Sequence, residues 1–236
     1  MSPQISRYDG HAEWYDKTFP AFLNEEEESF LRECLGDGGG QVCLDVACGT
    51  GRFGRVLADA GYRAVGFDLS ADQLRFARRR LGACVRADAR HLPVRDGSVA
   101  AAAGMFFHTD VEDFAAPVRD VARCLRPGGR FVYLGTHPCF VGPFVNRMTE
   151  GEDLRLSFTA GYGNAGWSDR GSGDGSMIGG RVGFHHKTLA SFLEAFAAAG
   201  LSIRAVREFS AGGHVVVPWD IAVAADSQHV VPYSTR

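Results

Sequence analysis

The sequence predicts an α/β fold: a mostly parallel sheet with helices on both faces and one antiparallel edge strand. Three observations predict it. Val42, Leu44 and Val46 form a short buried strand that breaks at Gly49-Thr50-Gly51 and opens a helical stripe of Phe53, Val56, Leu57 and Ala60. Strand-like and helix-like segments then alternate up to residue 134, the pattern of crossover connections in a parallel sheet. The last two strand-like runs, 202–209 and 215–224, have no helix between them and pair as a closing hairpin, so one edge strand runs antiparallel.

The elements follow in order. Tyr8, Trp14, Tyr15 and Phe19 make an aromatic N-terminal arm. Asn24 and the acidic run Glu25 to Glu28 form a capped first turn, and Phe30, Leu31, Cys34 and Leu35 are the inward face of that helix. After the first strand and its helix, residues 62–67 form a second strand. Ser70 and Gln73 then make a capping box ahead of a helix with Leu74, Ala77 and Leu81 inward and Arg78, Arg79 and Arg80 on its wet face. Residues 84–86 are a third strand, and 98–106, apolar without alternation, are a fourth covered on both faces. Phe114, Val118, Val121 and Leu125 mark a helix ended by Pro127-Gly128-Gly129, and 130–134 form the fifth strand. Thr188 caps a last helix with Leu189, Phe192, Phe196 and Ala199 inward and Gly200 as its stop.

Between the fifth strand and that helix lies the exception. Residues 138–187 show little periodicity, and connections usually run to ~4–6 residues. Nine glycines fall within 161–183, among Tyr162, Trp167, Met177 and Ile178. The segment leaves the fifth strand at its carboxyl end, where open α/β sheets bind ligands, and reads as a lid over a site.

At 236 residues the chain is long enough for one domain, 1–236, with residues 1–40 as an N-terminal cap and helix and 138–187 as the insertion. A net charge of −3 supplies no basic field for nucleic acid. The six cysteines have no Cys-x-x-Cys pairing and read as small apolar residues in a reducing compartment, the cytoplasm. No spacing of Cys, His and Asp suggests a metal, and no apolar run suggests export or a membrane span.

The chemistry concentrates at the strand ends. Glycine lets a ligand lie on bare backbone, and Gly49 and Gly51 do so where a helix begins. Asp45, a carboxylate just before them, suits a cationic ligand end and not a pyrophosphate. Asp68 ends the second strand, 17 residues after Gly51, where a carboxylate accepts from both ribose hydroxyls. That feature indicates adenosine without choosing the cofactor. Gly49 to Gly54 also fits Gly-x-Gly-x-x-Gly, the NAD pattern, which Asp45 and the closing hairpin oppose.

Leu44-Asp45-Val46-Ala47-Cys48-Gly49-Thr50-Gly51 resembles the first motif of the class I S-adenosylmethionine-dependent methyltransferases. The resemblance continues at Gly66-Phe67-Asp68-Leu69-Ser70, at Ala87-Asp88-Ala89 and at Leu125-Arg126-Pro127-Gly128-Gly129-Arg130-Phe131-Val132. It implies a Rossmann-like seven-stranded sheet and S-adenosylmethionine as cofactor, with S-adenosylhomocysteine as product. In this resemblance Asp45, Ala47, Gly49, Thr50 and Gly51 hold the methionine half. Asp68 takes the ribose, Leu69 packs on adenine, and Asp88 and Ala89 contact the adenine edge. Met105 and Phe106 line the sulfur side. Tyr8, in Tyr8-Asp9-Gly10-His11-Ala12-Glu13-Trp14-Tyr15, folds over the cofactor. The chain departs from the family at Ala100, where an acid often stands, and lacks the Asn/Asp-Pro-Pro-Tyr sequence of enzymes that methylate amino groups of nucleic acid and protein.

The implied function is methyl transfer to an O, N or C atom of a small organic metabolite, in secondary metabolism, with a homodimer as the expected assembly and no nucleic-acid or membrane partner. The alternative is a fold of this type that binds the cofactor as a non-methylating cyclase or binding module. His108 and His137, at the ends of the fourth and fifth strands, are candidate bases. Tyr15, Trp167, His185 and His186 are candidates for the acceptor side and lid.

Overall fold

The computed structural model describes residues 6–19, 23–150, 153–169, 179–210 and 218–228. Helices α1 (Ala12–Thr18) and α2 (Glu25–Leu35) precede β1 (Val42–Val46), α3 (Gly54–Asp59), β2 (Arg63–Asp68), α4 (Ala71–Leu81) and β3 (Ala83–Arg86). Next come β4 (Val99–Met105), α5 (Ala115–Cys124) and β5 (Leu125–Thr136), then the insertion with β6 (Val145–Glu150), β7 (Asp153–Phe158), β8 (Gly166–Ser168), α6 (Gly179–Val182) and β9 (Phe184–His186). The chain closes with α7 (Leu189–Ala198), β10 (Leu201–Ser210) and β11 (Pro218–Ser227).

Seven strands form one sheet in the order β10-β11-β5-β4-β1-β2-β3. The crossover strands pair in parallel, and β11 is antiparallel to both of its neighbours. The antiparallel strand therefore lies one place in from the edge. Helix α7 carries the chain across to β10, and the hairpin return fills the gap beside β5.

The central strand β4 carries Ala101, Ala102 and Ala103, all fully buried. Their small side chains let helices approach from both sides. On one face α5 and α7 bring Val118, Val121, Phe192 and Phe196 onto Phe131 and Tyr133. Burying a side chain such as Phe192 stabilises the fold by about 1.5–3 kcal/mol, which anchors the closing hairpin through α7. On the other face α2 and α3 bring Phe30, Leu31, Leu35 and Leu57 onto Cys43, Val132 and Leu134. Four of the six cysteines are buried as small apolar residues, and all six are free thiols.

Two caps behave differently. Asn24 and Glu27 form the expected capping box, Glu27 N donating to Asn24 Oδ1 at 2.9 Å and Asn24 N to Glu27 Oε2 at 2.8 Å. At α4 only half of the expected box is built. Ser70 Oγ accepts from Gln73 N, but Ser70 N donates to Asp68 Oδ1 at 2.8 Å, so the Gln73 side chain is left to face elsewhere. Helix α5 also stops earlier than Pro127-Gly128-Gly129 suggests. Its last carbonyls, on Arg123 and Cys124, accept from Gly97 and Ser98, which satisfies the helix end and starts β5 at Leu125.

The described residues of the insertion carry more secondary structure than their composition implies. β6 pairs with β7 and β8 with β9, each antiparallel. Strands this short among glycines leave no period to read. Met177 and Ile178 lie outside the described residues, as do His214, His229 and the start of the last expected strand, 215–217. Among the described residues no helix is long and apolar enough to cross a membrane.

Candidate active site

A cleft of about 800 Å³ opens at the carboxyl edge of the parallel strands, roofed by the N-terminal arm. Phe67, Asp68, Leu69, Ala87, Asp88 and Ala89 line its end beside β2 and β3. Ala47 and Gly49 lie beyond β1, and Met105, Phe106 and Asp110 beyond β4. Thr136, Trp219 and Asp220 close the far end, where Thr136 of β5 pairs with Asp220 of β11.

The β1 loop is bent sharply. Ala47 (φ +55°) and Gly49 (φ +53°) both take the left-handed conformation. Phe106 (φ +57°) does the same after β4. Each non-glycine case costs on the order of 1–3 kcal/mol and persists where surrounding bonds over-determine it. Here those bonds are Cys48 N to Phe67 O (3.0 Å), Gly49 N to Asp68 Oδ2 (2.8 Å) and Phe106 N to Leu134 O (2.8 Å). Behind the loop, Gly51 (φ +77°) lies so close to α4 that a Cβ would stand 2.9 Å from Ala77 Cα.

Asp68 does two things at once. It faces the cleft, and its two oxygens accept from Gly49 N and Ser70 N. Burial pushes its carboxyl up to about 6, against the pull of those two N–H groups. A carboxylate has about four lone-pair sites, so ribose hydroxyls remain within its capacity. Asp88 also lines the cleft, gripped by Arg90, whose Nε lies 3.0 Å from each oxygen. That guanidinium holds Asp88 below the usual carboxylate range.

Three candidates from the first motif do not face the cleft. Asp45 is 0% exposed, and neither of its oxygens has a hydrogen-bond partner. Burial, then the Asp68 charge, then Cys84 push its carboxyl up to about 8. Thr50 is buried and accepts from Arg52 Nε at 3.1 Å, and Gly51 packs on α4. The bend at Ala47 and Gly49 carries these residues behind the cleft wall. Ala47 and Gly49 alone of that motif line it.

The arm is tied down residue by residue. Arg7 donates to Asp110 O (2.8 Å), Tyr8 Oη to Asp110 Oδ1 (3.0 Å), Ser70 Oγ to Asp9 Oδ1 (2.5 Å) and Gly10 N to Asp72 Oδ2 (3.0 Å). Arg80, exposed on the wet face expected for it, donates to Asp16 at 2.6 and 3.0 Å. Arg80 holds Asp16 down at about 2. Tyr8 and Tyr15 line the cleft.

Neither candidate base reaches the cleft. His108 is 2% exposed, with Nδ1 3.0 Å from Tyr133 Oη and its ring among Phe114, Tyr133 and Phe192. Burial pushes it down to about 3. His137 is buried, its Nε2 2.6 Å from Glu208 and its Nδ1 accepting from Cys139 N. Both rings are structural because each strand end turns before its histidine can face the ligand edge. His185 is the histidine that lines the cleft, tied by its N to Thr109 O at 2.7 Å. His186 is buried, bonded through Nε2 to Tyr162 O, and stays outside it. Trp167 is 49% exposed and also outside, with Arg7 stacked 4.2 Å from its ring centroid and His185 at 5.0 Å. Arg181 covers Trp14 at 4.1 Å, so the insertion holds the arm from its outer side.

Sequence reasoning missed Asp110 and Gln73. The turn closed by Asp110 N to Phe107 O swings His108 inward and Asp110 toward the cleft. The polar run His108-Thr109-Asp110 at a strand end was the available signal. Gln73 lines the cleft with Oε1 buried and unpartnered, an acceptor awaiting a donor. Gln73 Oε1, an unmet acceptor, stands 3.8 Å from where a Cβ on Gly49 would lie, beside the bare backbone of the loop. That environment fits a ligand with an ammonium and an adenosine better than one with a pyrophosphate. Among the described residues no group of three His, Cys, Asp or Glu side chains is placed to hold a metal ion.

Residues 44–133 match the family model of a methyltransferase domain. The chain is 35% identical over 130 residues to the demethylmenaquinone methyltransferase of Mycobacterium marinum, covering 54% of this chain and 56% of that one. It thus spans a little over half the length of the curated relatives it matches. An S-adenosylmethionine-dependent methyltransferase from Mesorhizobium loti superposes with a TM-score of 0.70 at 27% identity, covering 92% of this chain and 98% of that one. The [4+2]-cyclase SpnF shares the fold, with a TM-score of 0.58 at 19% identity over 88% of this chain and 83% of its own. With four motifs in order, a seven-stranded sheet carrying one antiparallel strand, and a cleft of this make-up, the chain has the fold of the class I S-adenosylmethionine-dependent methyltransferases, and its match to a methyltransferase domain spans residues 44–133.

Proposed function

We propose that this chain transfers a methyl group from S-adenosylmethionine to an acceptor atom of a small organic molecule. One observation carries the reading. The cleft runs without a break from the carboxylates beside β2 and β3 to the wall made by Thr136 and Trp219, which leaves room for an acceptor beyond a nucleoside. The name of the demethylmenaquinone methyltransferase points the same way, to a small organic acceptor.

S-adenosylmethionine supplies an electrophilic methyl on a sulfonium, so the protein's task is positioning and exclusion of water. Asp68 receives the ribose hydroxyls while it holds Gly49 in place. Leu69 and Ala89 border the adenine end beside Asp88. Gln73 Oε1, unpartnered in the cleft wall, accepts from the ammonium end. Tyr8, Tyr15, Met105 and Phe106 shield the middle of the cleft from water.

The test is calorimetry with S-adenosylhomocysteine and NAD, followed by incubation with labelled S-adenosylmethionine and metabolite pools. Binding of S-adenosylhomocysteine alone, with label transferred to a small product, supports the reading. Binding of NAD alone ends it. Cofactor binding with an altered product and no S-adenosylhomocysteine formed selects the cyclase reading, which the shared fold with SpnF keeps in view.

A further inference from the structure

The carboxylates along the cleft are not equivalent. Asp68 accepts from Gly49 N and Ser70 N, and Asp88 is gripped by Arg90. Glu27 caps α2 and hydrogen-bonds Asp220, and Asp113 accepts from Ala116 N and Arg119. Glu112 stands exposed at the rim. Asp110 differs from all of these. Its Oδ1 accepts from Tyr8, and its Oδ2 has no hydrogen-bond partner among the described residues while the residue lines the cleft.

Its place along the sheet edge is equally distinct. In strand order the cleft passes the adenosine-side acids of β3 and β2, the glycine loop of β1, then Asp110 after β4, and then Thr136 of β5. Asp110 therefore stands where the cofactor side gives way to the acceptor side. Its backbone is held from two directions. Arg7 of the arm binds Asp110 O at 2.8 Å, while the insertion binds its neighbours, His185 N to Thr109 O at 2.7 Å and Lys187 Nζ to Val111 O at 2.5 Å.

We propose that Asp110 is a catalytic residue, whose Oδ2 takes the proton from an acceptor O–H or N–H during methyl transfer, with Tyr8 as its positioning residue. The inference rests on the methyltransferase reading and deepens it. The acceptor atom's electron pair forms the new bond to carbon, and the carbon–sulfur bond breaks with its pair staying on sulfur. The acceptor proton passes to Asp110 Oδ2, and the neutral acid returns it to water at the cleft mouth. The acceptor is accordingly a hydroxyl or amine compound, neutral or cationic.

Burial pushes the Asp110 carboxyl up to about 7, opposed by the Tyr8 hydrogen bond and by Arg7, a range suited to a base at neutral pH. The groups facing it are Arg7, Tyr8 and Tyr15 of the arm, Asp68 of β2, Tyr133 of β5, and Lys187 beside the insertion.

The test needs no acceptor. Sinefungin bears an ammonium where the cofactor bears its methyl, and S-adenosylhomocysteine bears nothing there. Calorimetry on the whole chain should show Asp110→Asn weakening sinefungin by about tenfold, as expected for one lost charge-assisted contact, while S-adenosylhomocysteine changes by less than about threefold. In the wild type, the preference for sinefungin should rise between about pH 6 and pH 8 as the carboxylate forms, and stay flat in Asp110→Asn. Tyr8→Phe should move that rise to higher pH, because it removes a bond to the charged form. Asp68 acts on both ligands alike and cancels in the ratio. Equal weakening of both ligands, or a ratio indifferent to pH and to Asp110→Asn, overturns the proposal. Should Asp110→Asn fail to fold, the wild-type pH profile decides alone. If neither ligand binds the wild type, the methyltransferase reading falls with it.

Discussion

Asp45→Asn should make the ligand-free protein more stable at neutral pH. Asp45 is fully buried with both oxygens unpartnered, and its carboxyl is pushed up to about 8, chiefly by burial. In the unfolded chain the same group titrates near about 3.9. The folded state holds a proton that the unfolded state has lost, so stability falls as pH rises from about 4 to about 8. At pH 7 the gap is about 3 units, which at 1.36 kcal/mol per unit is about 4 kcal/mol. Relaxation of the site reduces this, and about 2–4 kcal/mol is the working range. For a chain of this size, about 2–4 °C of melting temperature per kcal/mol makes the variant roughly 5–15 °C more stable at pH 7 and level with the wild type near pH 4. Thermal melts at pH 4, 5, 6, 7 and 8 measure the slope directly. S-adenosylhomocysteine brings an ammonium to the cleft, so it should narrow the gap by stabilising the wild type more than the variant. A variant that is less stable than the wild type at pH 7, with the same pH slope, would refute the reasoning and show that Asp45 is ionised and partnered.

Three further outcomes follow from the site. Asp68→Asn should raise the S-adenosylhomocysteine Kd by roughly 30-fold or more, since charge-assisted bonds are each worth about 1.5–3 kcal/mol. It should also lower the melting temperature, because the same carboxylate holds Gly49 N and Ser70 N. An unchanged melting temperature would separate the two roles. His108→Ala should destabilise the fold by roughly 2–4 kcal/mol by opening a cavity among Phe114, Tyr133 and Phe192, with cofactor affinity within about threefold. A lost affinity with an intact fold would return His108 to the site. Trp167→Ala should release Arg7 and speed proteolysis of the arm, with a smaller loss of S-adenosylhomocysteine affinity, because Trp167 touches Arg7 and not the cleft. Proteolysis at the wild-type rate would show that the arm is held without it.

The parts legible in the sequence are those whose chemistry is local. Gly49 and Gly51 take positive φ angles, a demand of the backbone itself, and the strand-end acids Asp68 and Asp88 sit where strand periodicity stops. The five-strand parallel core and its helices followed from apolar period alone. The histidines were not legible, because the direction of a strand-end side chain depends on the turn that follows. The bond from His108 N to Tyr133 Oη belongs to a residue 25 positions away and draws His108 into the aromatic core. Thr50 and Gly51 share their motif with Gly49 yet lie behind the wall, since one left-handed residue reverses which side of the loop faces the ligand. The insertion's hairpins were hidden for another reason. Three-residue strands such as β8 and β9 complete no pattern, and their pairing is set by contacts such as His185 N to Thr109 O.

That division has a consequence for specificity. The end of the cleft proposed for adenosine is built on sheet strands and a glycine loop, held by bonds among β1, β2 and α4. The end proposed for the acceptor is built on the loop after β4, where Thr109, Asp110 and Val111 are held by residues of the insertion and the arm. Exchanging side chains in residues 138–187 can therefore reshape the acceptor wall while Asp68, Asp88 and Gly49 stay in place. The reverse does not hold, because Tyr8 roofs the cleft and bonds Asp110 in the same conformation. In the proposed reading, a cofactor seated beneath Tyr8 would lie against the side chain that also holds the Asp110 carboxyl. The arm would thus join a proposed adenosine site readable from motifs to a proposed acceptor site readable only from tertiary contacts.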